Sequence, residues 1–175
     1  MNNLNQTIRT ILNRRSTRSF VRRPIKEEDL KLIVDCALHA PSGMGRQTWK
    51  FTVVENRARI RELSKAVGEE LGREGYDMYA PEVLIIPSNL KESPFGMEDN
   101  ACAMENIYLA AEALGIGCVW INQLRTICDV PKIRAILDAF HIPGDHVVYG
   151  LAALGYRDDA PLAPKERIGQ VEYIK

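Results

Sequence analysis

Residues 99–121 read DNACAMENIYLAAEALGIGCVWI, and they predict the helix and the strand at the centre of the fold. Its alanine-rich first part, residues 99–114, predicts a long central helix. Gly115 follows at the position where a left-handed residue ends many helices. Residues 118–121 form a short apolar run, which predicts a buried strand. A long helix that leads directly into a buried strand indicates a sheet covered by helices.

The segments on either side of this stretch alternate irregularly between helix and strand. Apolar residues recur at helical spacing from residue 27 to residue 38, and Pro41 prevents that helix from continuing. Further helices are predicted over residues 4–12, 57–74 and 129–140, the last capped by Asp129, and strands over residues 49–55, 83–87 and 146–154. Because two helices precede the first strand, this order favours an α+β fold over a strict βαβ series.

Length, charge and cysteine content limit what this chain can be. Its 175 residues fit one domain, so we predict a single domain over residues 1–175. Lysine and arginine total 23, and aspartate and glutamate also total 23, so no net charge steers the protein toward nucleic acid or an anionic membrane. No apolar run is long enough to span a bilayer. The four scattered cysteines and the lack of a secretory signal at residues 1–15 predict reduced thiols and a cytoplasmic location.

The chain carries little side-chain machinery for catalysis. His141 and His146 straddle a Pro-Gly turn, so they do not form a metal-binding face. Residues 115–117 begin a GxG pattern, but Trp120 stands where a dinucleotide fingerprint has its third glycine. We therefore predict no catalytic side chain and no metal site. An enzyme of this composition needs a bound cofactor as its reactive centre.

A basic cluster follows the first predicted helix and comprises Arg14, Arg15, Ser16, Thr17 and Arg18. Guanidinium groups bind phosphate through paired hydrogen bonds, and a hydroxyl adds a neutral donor. The cluster is therefore either a local anion site or a solvated basic turn. Because no stacking aromatics interleave with these arginines, the pattern argues against a nucleic-acid site.

A loop of small residues lies between the second predicted helix and the first strand. It includes Pro41, Ser42 and Gly43, where backbone amides could approach a planar ligand closely. Gln47 offers both a donor and an acceptor, which suits the edge of a heteroaromatic ring. An ordinary connection between a helix and a strand is the alternative interpretation.

The C-terminal segment, residues 155–175, has no core helix of its own, which suggests an arm packed on another subunit. Lys165 and Arg167 are two residues apart, so in an extended segment they point the same way. They could complete a phosphate site begun by Arg14 and Arg18. A solvated tail is the alternative.

In their order and spacing, these motifs resemble those of the nitroreductase family of flavoproteins. The motifs are RRSTRSF at residues 14–20, APSGMGRQTW at residues 40–49, LGIGCVWI at residues 114–121 after the alanine-rich helix, and LGY at residues 154–156 followed by Lys165 and Arg167. The resemblance covers nearly the whole chain.

The resemblance implies a nitroreductase-like α+β fold with a central, mostly antiparallel sheet, and a homodimer with one FMN per subunit at its interface. It implies that the FMN phosphate is held by Arg14, Arg15, Ser16, Arg18, Lys165 and Arg167. It implies that Pro41, Ser42 and Gly43 reach the flavin of the other subunit, and that the C-terminal arm packs on the partner. After Trp120 and Ile121, Asn122 and Gln123 occupy a stretch whose backbone approaches flavin N5 in many members. Gly45 replaces a common asparagine. Arg46 or Gln47 could compensate for the lost contact, or that edge of the ring could be wetter.

The same resemblance implies an oxidoreductase. NADH or NADPH would pass a hydride to flavin N5, and the electrons would go on to a nitroaromatic, quinone-like or other small acceptor in a ping-pong mechanism. Three alternatives stay open: a flavin-binding or sensory module without turnover, a flavin-dependent dehalogenase-like relative, and a polyanion-binding protein that uses the arginine cluster.

Overall fold

A computed structural model describes residues 5–158 and 166–175 of the chain. Its α-helices are α1 (Gln6–Asn13), α2 (Glu27–Leu38), α3 (Arg57–Glu70), α4 (Gly96–Ala113) and α5 (Pro131–Ala139). Its strands are β1 (Trp49–Val54), β2 (Val83–Leu90), β3 (Gly117–Ile121), β4 (His146–Val147) and β5 (Leu151–Gly155). None of the helices in these ranges is long and apolar enough to cross a membrane.

The strands form a five-stranded sheet in the order β1-β2-β5-β3, with β4 also paired to β2. The pairings between these strands are antiparallel, which confirms the predicted α+β fold with its mostly antiparallel sheet. Successive residues of a strand face opposite sides of the sheet. Val119 and Ile121 therefore lie in the core beneath α3 and α5, whereas Cys118 lies in the core beneath α2 and α4.

The ends of two helices follow from glycines in the left-handed conformation. Gly115, at φ 71°, ends α4 as the sequence predicts, and the amide of Ile116 donates to the carbonyl of Ala111 over 2.8 Å. Gly72, at φ 62°, ends α3 in the same way. The predicted extension of this helix to residue 74 is therefore wrong, because the chain turns at Gly72 and leaves the helix axis.

Asp129 does not cap α5, contrary to the prediction. The cap position is Val130, and Pro131 occupies the first turn, where its missing N–H costs nothing. The carboxylate of Asp129 instead forms an ion pair with Lys91, at 2.8 Å. Asp129 lies one residue before the cap position, and its carboxylate binds Lys91 and not the first backbone N–H groups of α5.

The single strand predicted over residues 146–154 is also wrong, since two strands, β4 and β5, replace it. Residues 147–152 face residues 85–89 of β2. The segment 147–152 is therefore one residue longer than the part of β2 that it faces. Such an insertion interrupts the ladder as a bulge does. The interruption lies opposite Pro87, which has no N–H to donate to a neighbouring strand.

Candidate functional site

The arginine cluster is fixed against the edge of the sheet. Ser16 forms a parallel bridge with Cys118 of β3, and the amide of Thr17 donates to the carbonyl of Cys118 over 2.9 Å. This close approach depends on Gly117, because a Cβ at that position would lie 2.7 Å from the Thr17 side chain. The edge strand therefore holds the segment that carries the arginines.

A small cavity of about 120 Å³ lies within this cluster. Its lining residues come from both ends of the chain and are Arg14, Arg15, Ser16, Arg18 and Arg167. The structure thus brings Arg167 to the N-terminal arginines, as the paired basic motifs predict. Lys165, the other predicted member, lies outside the described residues.

Positive charge in this cavity is only partly compensated. Arg14 forms an ion pair with Glu105 of α4, at 3.5 Å, and its guanidinium lies 4.6 Å from the centre of the Tyr108 ring. Within the part of the chain that the structure describes, Arg15, Arg18 and Arg167 form no ion pair with a carboxylate. The Nε atom of Arg15 is buried and has no hydrogen-bond partner there. A cavity in which most guanidinium groups have no carboxylate partner, and in which one Nε is buried and unpaired, is suited to an anion.

Tyr108 was not predicted from the sequence, but it lies at the base of this cluster. Its hydroxyl accepts a hydrogen bond from the backbone N–H of Trp120 over 2.6 Å and lies 3.3 Å from the hydroxyl of Ser16. Burial raises the pKa of Tyr108, so the side chain stays a neutral phenol. The only signal in the sequence is an aromatic residue with a polar tip in an alanine-rich helix.

The loop of small residues is anchored to the start of α4. The carboxylate of Asp99 accepts a hydrogen bond from the amide of Gly43 over 2.7 Å. Gly43 also packs so tightly on Phe95 that a Cβ would lie 2.2 Å from the ring. The hydroxyl of Ser42 accepts a hydrogen bond from the backbone N–H of Gln47 over 3.2 Å. The sequence motif shows the small residues, but it does not show Asp99 and Phe95, which hold them in place.

The remaining predicted residues lie elsewhere on the chain. Pro41, Ser42, Gly43 and Gln47 are absent from the lining of the arginine cavity, and so are Asn122 and Gln123. Asn122 is exposed directly after β3, at the start of a short 3-10 helix. The side-chain oxygen of Gln123 is buried and unpaired among the described atoms. The predicted contacts of these residues with flavin stay predictions.

Comparison with known proteins identifies the family to which this chain belongs. The model of the Nitroreductase family matches residues 11–156, which run from α1 through the end of the sheet. This chain belongs to the nitroreductase family. The membership confirms the resemblance found in the sequence, since the matched range contains the arginine cluster, the loop of small residues and the helix–strand unit.

Relatives of this nitroreductase-family chain include solved and curated proteins. A nitroreductase from Bacteroides fragilis with bound FMN has a TM-score of 0.92 and 37% identity, and the match covers 98% of this chain and 100% of that one. An Archaeoglobus fulgidus protein, provisionally named an NADH dehydrogenase/NAD(P)H nitroreductase, is 32% identical over 89% of this chain and 88% of its own length. The FMN reductase (NADPH) of Bacillus subtilis is 29% identical over 85% of this chain and 65% of its own length.

Other proteins similar to this chain have names that indicate other reactions. An iodotyrosine deiodinase from Thermotoga neapolitana is 25% identical over 89% of this chain and 91% of its own length. Membership alone therefore does not identify the acceptor of this nitroreductase-family protein.

Proposed function

We propose that this protein is an FMN-dependent oxidoreductase that uses NADH or NADPH as its donor. The observation that carries the proposal is the cavity where Arg18 meets Arg167 beside the hydroxyl of Ser16. The FMN-bound nitroreductase of Bacteroides fragilis and the FMN reductase of Bacillus subtilis support the choice of cofactor.

The residues of the cavity fit the phosphate of a mononucleotide. Its lining offers four guanidinium groups and one hydroxyl but no carboxylate, so every charged group there attracts an anion. The buried, unpaired Nε of Arg15 is a donor that a phosphate oxygen would satisfy. When bound, FMN supplies the redox chemistry by taking a hydride at N5 and delivering electrons to the acceptor.

Each group of residues has a distinct role in this proposal. The phosphate is bound by Arg14, Arg15, Ser16, Arg18, Lys165 and Arg167. Asn122 and Gln123, which follow β3, would contact the ring system, and no side chain would be required as a catalytic acid or base. Gln47 would contact the edge of the ring. In a homodimer, Pro41, Ser42 and Gly43 of the partner subunit would also contact it, and the C-terminal arm would pack on that partner.

The decisive experiment is the isolation of the cofactor from the purified protein. We expect a flavin absorption spectrum, release of FMN and not FAD on heating, and bleaching of that spectrum by NADH or NADPH without oxygen. Release of FAD, or no flavin after reconstitution, would refute the cofactor assignment. A flavin that neither nicotinamide reduces would instead favour a sensory module.

The acceptor and the kinetic order are finer parts of the proposal. Donor and acceptor compete for one face of the ring system, so initial rates should give the parallel double-reciprocal lines of a ping-pong reaction with a nitroaromatic or quinone acceptor. Because one relative is a deiodinase, halide release from a halogenated aromatic should be measured on the same reduced protein. The cytoplasmic location and the single domain over residues 1–175 stay predictions.

A further inference from the structure

Tyr108 connects the arginine cavity to the interior of the fold. Only 5% of its surface is exposed, and its hydroxyl lies between the backbone N–H of Trp120, at 2.6 Å, and the hydroxyl of Ser16, at 3.3 Å. Ser16 itself lines the cavity. A chain of three hydrogen-bonding groups therefore runs from the backbone of β3 to the cavity.

The direction of this chain follows from the requirement that buried donors be paired. The oxygen of Tyr108 accepts from Trp120, so the phenol hydrogen remains to be paired. Among the groups described around it, the oxygen of Ser16 is within hydrogen-bonding distance. If Ser16 donated to Tyr108 instead, the phenol hydrogen would be buried without an acceptor, which costs free energy.

We propose that Tyr108 is a positioning residue that makes Ser16 a donor toward the cavity. Because Tyr108 donates to the oxygen of Ser16, the hydroxyl hydrogen of Ser16 is free to point at an anion. The ring of Tyr108 also supports the guanidinium of Arg14, which lies 4.6 Å above it. This inference rests on the proposed function, since the anion is the phosphate of FMN.

The test compares the affinities of the apoprotein for FMN and riboflavin, measured by quenching of flavin fluorescence. Tyr108→Phe keeps the ring under Arg14 and removes only the hydroxyl. We expect it to weaken FMN binding about 3- to 10-fold, the effect of one hydrogen bond, and to leave riboflavin binding unchanged. Ser16→Ala should weaken FMN binding to a similar or larger extent. The double variant should lose no more than Ser16→Ala alone, because Tyr108 acts through Ser16.

Tyr76→Phe is the matched control. Tyr76 is a partly buried tyrosine whose hydroxyl has no hydrogen-bond partner among the described residues, and it lies outside the cavity. This change should leave both affinities at the parent values. If Tyr108→Phe does not fold, Ser16→Ala still tests the inference, because a donor aimed at the phosphate predicts a larger loss of affinity for FMN than for riboflavin.

Several results would overturn the positioning role. They are an equal loss of riboflavin and FMN affinity in Tyr108→Phe, additive losses in the double variant, or unchanged FMN binding in Ser16→Ala. Arg18→Ala separates this failure from failure of the proposed function. If Arg18→Ala weakens FMN selectively and Tyr108→Phe does not, only the role of Tyr108 is wrong. If neither change affects FMN, the cavity is not the phosphate site.

Discussion

At the scale of single residues, Arg18 and Arg167 carry the charge that the proposed site requires. Both line the cavity, and neither is neutralised by a carboxylate among the described residues. We expect Arg18→Ala or Arg167→Ala to weaken FMN binding about 10- to 150-fold, the effect of one charge-assisted contact. Riboflavin, which lacks the phosphate, should bind with unchanged affinity. Titration of the apoprotein with both flavins measures this difference.

The control for these changes is Arg61→Ala, which removes an exposed guanidinium on α3 outside the cavity. It should leave FMN binding unchanged. An equal loss of riboflavin and FMN affinity in the Arg18 or Arg167 variant would mean that these arginines support the fold and not the phosphate.

A second prediction at this scale concerns His146, whose Nδ1 lies 3.0 Å from the hydroxyl of Ser88 in the interior. Burial lowers the pKa of His146. The positive charges of Lys50 and Arg134 lower this pKa further, whereas Asp145 and the contact with Ser88 oppose the shift. The unfolded chain therefore binds a proton more readily than the folded one. As the pH falls below the ordinary histidine value of about 6.5, the free energy of unfolding should decrease.

Urea unfolding between about pH 7 and pH 5 measures this dependence. His146→Asn should show a shallower decrease than the parent protein, because the titrating group is gone. An unchanged slope in His146→Asn would contradict the prediction.

At the scale of elements, the loop of small residues depends on its fit against the start of α4. A Cβ at Gly43 would lie 2.2 Å from the ring of Phe95. We therefore expect Gly43→Ala to push the loop off the helix and lower the free energy of unfolding by about 1–3 kcal/mol. Urea unfolding measures the change. Gly144→Ala is the control, because a Cβ there meets nothing within 4 Å and its φ is not left-handed. Similar unfolding free energies for the two variants would contradict this account.

At the scale of the whole molecule, exposed apolar residues mark the surface that a partner subunit would cover. They lie at both ends of the described chain and include Ile8, Ile11 and Leu12 of α1 and Ile168, Val171, Tyr173 and Ile174 of the C-terminal segment. Ile174 is 96% exposed, so this segment has no core within its own chain. Large apolar side chains left exposed in two segments are a feature of chains that bury these segments against a partner.

Deletion of residues 168–175 tests this interpretation and retains Arg167. If the protein is the proposed homodimer, we expect the deletion to shift it toward monomer in light scattering, because the deletion removes apolar surface that a partner would bury. Arg167→Ala should keep the dimer mass while it weakens FMN binding. A full-length monomer that holds FMN, or a deletion variant that stays dimeric, would contradict the proposed arm.

Local chemistry in the sequence was sufficient to predict most elements and the basic part of the site. The end of α4 at Gly115 and the buried strand after it depend on neighbouring residues, so residues 99–121 reveal both. The arginine cluster is equally local, since Arg14, Arg15 and Arg18 lie within one short segment. The position of Arg18 and Arg167 at one cavity could be predicted because two short basic motifs stand out in a chain without net charge.

Other contacts between segments that are distant in sequence could be identified only in the folded molecule. In the structure, the hydroxyl of Tyr108 lies between Ser16 and Trp120. Asp129 forms an ion pair with Lys91, although the local sequence pattern predicts a helix cap at this residue. The tertiary structure also split the strand over residues 146–154, where β2 determines the register. The physical reason is that helix periods and turn preferences arise from residues adjacent in sequence. Hydrogen bonds, ion pairs and strand register between distant segments depend instead on how the packed core brings those segments together.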